Sequence, residues 1–325
     1  MQSFRYVRAG SFQEAAALLA RDGMALAGGT DLIPLLQEGL ATPGMVVDLR
    51  RIPAASRIVV SQAAGARIGA LSRLADLAGH AALRRRYPAL VEACRQVGTP
   101  QIRHMGTLGG NLCQRPRCWY FRSAVPCWKT GAPVCPARDG MSEYLAVLGG
   151  GPCWAAHPSD PAVALLALDA RVTVRQPDGA SIDVPLDELF VLPAERMERE
   201  TRLKAGEVIE RVTLPARLGG VSQTFLKATQ RQAWDFALVS VAAVWPRRRR
   251  QPRVALGGVA PRPWLVAAHD LPPRPLSRAS RQAVEAWAAE VAECALRGAT
   301  PLPHNGYKLD IARGLIRRVL SGWAR

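Results

Sequence analysis

The sequence predicts an α+β protein, and three observations carry that reading. Residues 1–218 interleave short β-branched runs with helical stretches, and two Gly-Gly turns punctuate them. After Gly219-Gly220 the pattern changes to three strand-like runs, 222–229, 237–245 and 254–259, followed by two long helical stretches, 280–297 and 305–323. That is one antiparallel sheet covered by helices on a face. Within the first half, five of the seven cysteines fall within residues 113–153.

A chain of 325 residues with 49% hydrophobic and 21% charged residues is of soluble globular type and long enough for two or three domains. No apolar run reaches the roughly 18 residues of a membrane span. The start, Met1 to Tyr6, lacks a basic stretch, an apolar core and a cleavage site. The expected location is therefore the cytoplasm, or the periplasm by co-export with a signal-bearing partner. The net charge of +17 comes mainly from dispersed arginines. Arginines 247–250 form the one cluster and read as an exposed hairpin turn. No aromatic residues interleave with it, so a nucleic-acid partner is not expected.

Taken in order, Ser11 and Glu14 have capping-box spacing ahead of an apolar run, and a helix ends near Gly23. Residues 24–27 read as a strand that enters Gly28-Gly29-Thr30-Asp31, where a new helix begins. Backbone N–H groups at such a turn have no helical partner, and glycine lets an anion approach closely. Residues 46–49, 58–60 and 66–70 read as strands, and 71–80 and 88–96 as helices. Cys94, on the second of these, reads as a buried small hydrophobe. Gly106-Thr107-Leu108-Gly109-Gly110-Asn111 then repeats the glycine-turn chemistry. Two such turns suggest the two lips of one diphosphate groove. Neither has the Gly-x-Gly-x-x-Gly spacing of a strand–turn–helix nucleotide site. Ser159 reads as the N-cap of a helix over 161–168, with Asp160 beside it as a carboxylate for sugar hydroxyls or for the helix start. Strands 171–175 and 181–184 follow around the turn Pro177-Asp178-Gly179, and then a strand over 207–214.

Cys113, Cys118, Cys127, Cys135 and Cys153 are separated by four, eight, seven and seventeen residues. Disulfides, structural zinc and an iron–sulfur cluster all remain open from this spacing. The odd cysteine count and the missing secretory signal weigh against disulfides, and the absence of Cys-x-x-Cys pairs weighs against zinc. An iron–sulfur cluster accepts thiolates from irregular Pro-, Gly- and Arg-rich loops. None of the five histidines forms a metal-binding pair in the sequence. His104 and His157 flank the motifs, where a surface or structural role stands beside ligation.

Ala27-Gly28-Gly29-Thr30-Asp31-Leu32 resembles the first flavin-diphosphate motif of the FAD-binding subunits of molybdenum hydroxylases, the xanthine dehydrogenase and carbon monoxide dehydrogenase group. Residues 106–111 are similar to the second motif and Ser159-Asp160 to the third. Residues 237–243 and Tyr307-Lys308 resemble the C-terminal domain of the same subunits. The cysteine-rich insert, with Arg117-Cys118-Trp119-Tyr120, resembles that of 4-hydroxybenzoyl-CoA reductase and of periplasmic-type aldehyde oxidoreductases. Pro261 to Trp264 and His304 to Lys308 lean toward the latter.

The resemblance implies a two-part FAD-binding domain of the vanillyl-alcohol-oxidase/PCMH type, with subdomains 1–55 and 56–218. It implies a cluster insert over 113–155 and a flavoprotein-like domain over 219–325. FAD would contact Ala27, Gly28, Gly29, Thr30, Asp31, Leu32, Gly106, Thr107, Gly109, Gly110, Asn111, Ser159, Asp160 and Lys227. A [4Fe-4S] cluster would take Cys118, Cys127, Cys135 and Cys153 and leave Cys113 spare. The partners implied are a molybdopterin-binding large subunit, a [2Fe-2S] small subunit and an external electron acceptor, with no catalytic residue on this chain. Two other readings stand beside this one: the equivalent subunit of a 4-hydroxybenzoyl-CoA reductase-like enzyme, and a non-redox scaffold stapled by zinc.

Overall fold

The computed structural model describes residues 1–247, 251–275 and 280–323. Of the arginine cluster only Arg247 is among them. The other three arginines, and the hairpin turn read there, lie outside the described residues.

Three sheets organise the chain. The first is parallel, in the order β1 (Arg5–Arg8), β3 (Met45–Asp48), β2 (Gly23–Leu26). Val46 is in register with both Tyr6 and Met24. Helix Phe12–Leu19 connects β1 to β2, and helix Leu32–Gln37 connects β2 to β3. The first helix starts as its spacing predicts. Ser11 Oγ accepts from Glu14 N at 3.1 Å, and Glu14 Oε2 accepts from Gly10 N at 2.7 Å. Like helices Ala81–Arg86 and Pro100–Met105 and strand Trp264–Leu265, β1 is one of the elements that the sequence does not announce. Its Arg-Tyr-Val-Arg run has no apolar alternation, and it is a strand because β3 beside it is buried along its whole length.

The second sheet is antiparallel, in the order β4 (Ile58–Ser61), β5 (Gly65–Gly69), β8 (Val208–Leu214), β6 (Arg171–Arg175), β7 (Ser181–Pro185). The third is an antiparallel meander of β9 (Gln223–Ala228), β10 (Val239–Val244), β11 (Arg253–Gly257) and β12 (Trp264–Leu265). Helices Arg281–Ala295 and Tyr307–Gly322 pair with each other and cover this meander around Trp287, Val241, Leu256 and Ile316.

Helix Asp160–Ala167 lies between the second and third sheets. All eight of its residues are buried, and it packs on helix Pro88–Arg95 and on β10 and β11. Ser159 caps it as expected, accepting from Ala162 N at 3.1 Å. The predicted helix 71–80 is shorter in the structure, Leu74–Gly79, because Arg73 is still extended where it bridges to Thr107.

The end of the cysteine-rich insert is built into the C-terminal part of the chain. Val147 N and Leu148 N both donate to Val259 O. Asn305 Nδ2 donates to the carbonyls of Leu145 and Ala146, at 3.2 and 3.1 Å. Lys308 Nζ donates to Leu145 O at 2.9 Å and to Gly258 O at 2.8 Å. Lys308 is fully buried, and burial lowers its pKa to about 7.

The lowered pKa has a sign that can be tested. Below pH ~7 Lys308 is charged in both the folded and the unfolded chain, and folding carries the full burial penalty. As pH rises from there toward the unfolded value, only the unfolded chain keeps the proton, so stability rises. Urea unfolding of wild type and Lys308→Met at about pH 6 and about pH 9 should show wild type gaining on the variant by up to a few kcal/mol at the higher pH. Equal gains in the two proteins would remove Lys308 as the cause.

Candidate flavin groove and thiol cavity

The two glycine turns touch each other through their backbones. A Cβ on Gly28 would run into the Met105 carbonyl and approach Gly106 Cα to 3.0 Å. Gly29 has φ +75°, in the left-handed region that glycine adopts freely. From the other side, a Cβ on Gly109 would lie 2.9 Å from Ala70 Cβ, and one on Gly110 3.0 Å from Thr107 Oγ1. The turns are thus two lips in direct contact, and only residues without side chains permit it.

A groove of about 510 Å³ opens along them. Its lining includes Ala27, Gly28, Gly29, Thr30, Asp31, Leu32, Thr107, Gly109, Gly110 and Asn111. Gly106 serves the contact between the turns and is not part of the lining. The two lips differ in what they offer an anion. In the second, Leu108 N donates to Ser72 O, Gly109 N to Ala70 O, Gly110 N to Thr107 Oγ1 and Asn111 N to Thr107 O. In the first, the N–H groups of Gly28, Gly29, Thr30, Asp31 and Leu32 have no protein acceptor among the described residues. Unmet backbone donors at a turn that starts a helix suit a diphosphate. The first lip therefore supplies the donors, and the second supplies closeness and shape.

Three expected contacts sit elsewhere. Ser159, Asp160 and Lys227 do not line the groove. Ser159 Oγ donates to Asn111 Oδ1 at 2.6 Å, which ties the helix cap to the second lip. Asp160 and Lys227 are both buried and form an ion pair at 2.7 Å. Lys227 Nζ also donates to Gln96 O at 3.1 Å and Asp235 O at 2.9 Å. Burial pushes the Asp160 carboxyl up, and the Lys227 ammonium opposes this. In the structure Asp160 and Lys227 are each other's partner. They are 67 residues apart in sequence, so no local spacing announces the pair. Removing one partner leaves an uncompensated buried charge, at a cost of about 3–5 kcal/mol.

Asp31 lines the groove, yet its carboxylate faces the insert. It accepts from Arg115 N at 2.8 Å and from Arg122 Nη2 at 2.7 Å, and it pairs with Arg117 Nη1 at 2.7 Å. The first lip is thereby fastened to the cysteine-rich segment.

Cys118, Cys127, Cys135 and Cys153 line one small cavity of about 10 Å³, together with Tyr120, Trp128 and Lys129. The Cys153 thiol donates to Cys135 and holds it down at about 6. Ala155 N donates to Cys153 Sγ at 3.5 Å. Among the described residues, no three His, Cys, Asp or Glu side chains converge closely enough to hold a single metal ion. Cys113 lies apart from the four and lines the large groove. Cys94 is buried, as its helical setting suggested. His157 is buried with its ring centroid 5.0 Å from that of Phe190 in an edge-on arrangement, and Nδ1 accepts from Ser159 N at 3.3 Å. Burial lowers its pKa to about 3, so it is a neutral structural residue. Trp119 is half exposed against Tyr144 and does not line the cavity.

An ion pair joins the two cavities. Lys129, on the thiol cavity, is 2.8 Å from Glu200, which lines the groove and also pairs with Arg115 at 2.8 Å. Sequence reasoning missed Glu200 and Lys129. A buried carboxylate far along the chain from its cations leaves no pattern to read.

The contact between the lips leads to a test. Gly28→Ala should detach bound flavin and cost about 1–3 kcal/mol of stability, because a methyl group is driven into backbone. Gly79→Ala, where a Cβ meets nothing within 4 Å, should retain flavin. Flavin absorbance after gel filtration, together with thermal unfolding, checks both.

Residues 2–217 match the FAD binding domain in molybdopterin dehydrogenase. The chain is 38% identical to the aldehyde oxidoreductase FAD-binding subunit of Escherichia coli, over 99% of this chain and 98% of that one. It is 27% identical to the carbon monoxide dehydrogenase medium chain of Hydrogenophaga pseudoflava, over 99% and 98%. A solved structure of carbon monoxide dehydrogenase from that organism shares the fold, with a TM-score of 0.74 at 24% identity over 99% of this chain and 98% of the other. The mixed α/β fold and the groove between glycine lips agree with these matches. This chain belongs to the FAD-binding medium subunits of the molybdenum hydroxylase family.

Proposed function

We propose that this chain is the FAD and [4Fe-4S] electron-transfer subunit of a heterotrimeric molybdenum-containing aldehyde oxidoreductase. It would pass electrons from the [2Fe-2S] clusters of a small subunit to an external acceptor, and a molybdopterin-binding large subunit would hold the substrate site. The 38% identity to an aldehyde oxidoreductase subunit, nearly end to end in both chains, supports the class of enzyme. One observation in the structure carries the two-cofactor reading. A four-thiol cavity stands beside the groove, and an ion pair links Lys129 of its wall to Glu200 of the groove wall.

The groups on this chain fit such a pair. FAD, when bound, exchanges electrons singly or in pairs, whereas an iron–sulfur cluster exchanges one at a time. The free N–H groups of residues 28–32 would hold the diphosphate, and Asn111 and Thr107 face the same groove. Cys118, Cys127, Cys135 and Cys153 would hold the cluster. A cube with iron at its corners spaces its thiolates more widely than one ion does, in keeping with four thiols that do not converge on a point. The Lys129 ammonium beside Cys153 would offset negative charge there, and Ala155 N–H would do the same by hydrogen bonding. Asp31, held by Arg115, Arg117 and Arg122, fixes the first lip against the thiol loop.

Among the described residues no helix is long and apolar enough to cross a membrane. The compartment we propose is the cytoplasm, or the periplasm through co-export with a partner.

Iron, acid-labile sulfide and FAD are the decisive measurement on the co-purified complex. Iron and sulfide should be equal and in the cluster's ratio to one flavin beyond what the small subunit contributes. Cys118→Ser, Cys127→Ser, Cys135→Ser and Cys153→Ser should each lose that iron and keep the flavin, and Cys113→Ser should lose neither. A colourless chain with one zinc would replace this reading by a stapled scaffold. Loss of iron in Cys113→Ser alone would reassign the ligands.

A further inference from the structure

The turn that follows Cys127 holds two side chains against the thiol cavity, Trp128 and Lys129. Trp128 N donates to Val134 O at 2.7 Å, while Cys127 O accepts from Thr130 N at 2.9 Å and from Ala132 N at 3.0 Å. Gly131, at φ +94°, closes the turn. The backbone on both sides of the indole is thus fixed.

Each of the two side chains carries an unmet demand. Trp128 Nε1–H is buried and has no acceptor among the described residues. A buried indole N–H ordinarily finds one. Trp287 Nε1 does so, donating to Pro272 O at 3.1 Å, and Trp323 Nε1 donates to Thr224 Oγ1 at 3.2 Å. Lys129 Nζ is 2.8 Å from Glu200, and both side chains are only 4% exposed. The same carboxylate pairs through its other oxygen with Arg115 at 2.8 Å, so one carboxylate answers two cations. The Arg115 guanidinium lies 4.9 Å over Phe121, which lines the cavity as well. Surplus positive charge away from water is costly unless an anion meets it. A donor without an acceptor and a cation in surplus, on the wall of one four-thiol cavity, call for an anionic acceptor inside it.

We propose that the Trp128 indole N–H and the Lys129 ammonium set the reduction potential of the iron–sulfur cluster, the first as a hydrogen-bond donor to its sulfur atoms and the second as a counter-charge that Glu200 limits. The inference deepens the cluster reading and rests on it. An iron–sulfur cube on four thiolates is an anion, and it becomes more negative when it gains an electron. Donors to its sulfur atoms and nearby positive charge stabilise the reduced form more than the oxidised one, so both raise the potential. Glu200, on the groove wall, works in the opposite direction.

The test uses the full chain in its complex, with potentiometric titration of the cluster followed by EPR and of the flavin by absorbance. Trp128→Phe keeps an aromatic ring and removes the N–H. It should keep iron, sulfide and flavin, leave the flavin potential in place, and make reduction of the cluster about tenfold less favourable, a fall of about 59 mV for one electron. Lys129→Met should lower the cluster potential at least as far, and Lys129→Arg should restore most of the loss. Glu200→Gln should raise it, because the ammonium then loses its counter-charge. A merely structural role in the loop would produce no such opposition of sign.

An unchanged cluster potential in Trp128→Phe that has kept its iron overturns the donor. Shifts of the same sign in Lys129→Met and Glu200→Gln overturn the counter-charge. Should Trp128→Phe lose iron, the wild-type complex carries the comparison: tryptophan labelled with ¹⁵N in the indole should show a ¹⁵N coupling in the EPR of the reduced cluster, and its absence overturns the donor. A wild-type complex with no iron and sulfide beyond the small subunit's share refutes the cluster reading by itself, whatever the variants show.

Discussion

The closeness of two backbones governs this molecule. The turn at Gly28 rests on the Met105 carbonyl and Gly106, with no room for a methyl group between them. The groove is lined by both turns. Two devices hold the contact from outside. Asp31 reaches from the first lip to three arginine residues of the insert, and Asn111 reaches from the second to the Ser159 cap. Neither lip stands alone, and neither is free to drift from the cysteine loop.

The division of labour between the lips follows from hydrogen-bond accounting. Buried or constrained backbone donors are nearly always met, so a row of unmet ones is a statement about a ligand. The second lip spends its donors on Ser72, Ala70 and Thr107 and is rigid. The first leaves five in a row without a protein acceptor among the described residues. Similar glycine motifs in one chain thus play different parts, one as receptor and one as wall.

Much of this was legible in the residues. Gly-Gly dipeptides announce turns that need freedom in φ, and Gly29 uses that freedom. Ser159 announced its helix, and the alternating apolar runs after Gly220 announced the antiparallel meander. What was hidden is what depends on distance along the chain. β1 has no strand pattern of its own and forms because Met45–Asp48 offers it a buried edge. Asp160 and Lys227 are named as FAD contacts by resemblance to the family; their pairing is a tertiary fact that no local spacing announces. Glu200 had no signature at all, since its cations Arg115 and Lys129 come from a different loop. Local spacing reads turns, caps and periodicity well, and it is blind to which buried charge will meet which.

The seam at residues 145–148 bears on how the polypeptide comes off the ribosome. The carbonyls of Leu145 and Ala146 find their donors on Asn305 and Lys308, and the N–H groups of Val147 and Leu148 find their acceptor in the Val259 carbonyl. Those partners are among the later residues to be translated. Until they emerge, the stretch that leads into Cys153 has nothing to close against, while the glycine lips are already complete. Nascent chains therefore pass through an interval in which both glycine lips have emerged and the stretch before Cys153 still lacks its hydrogen-bond partners.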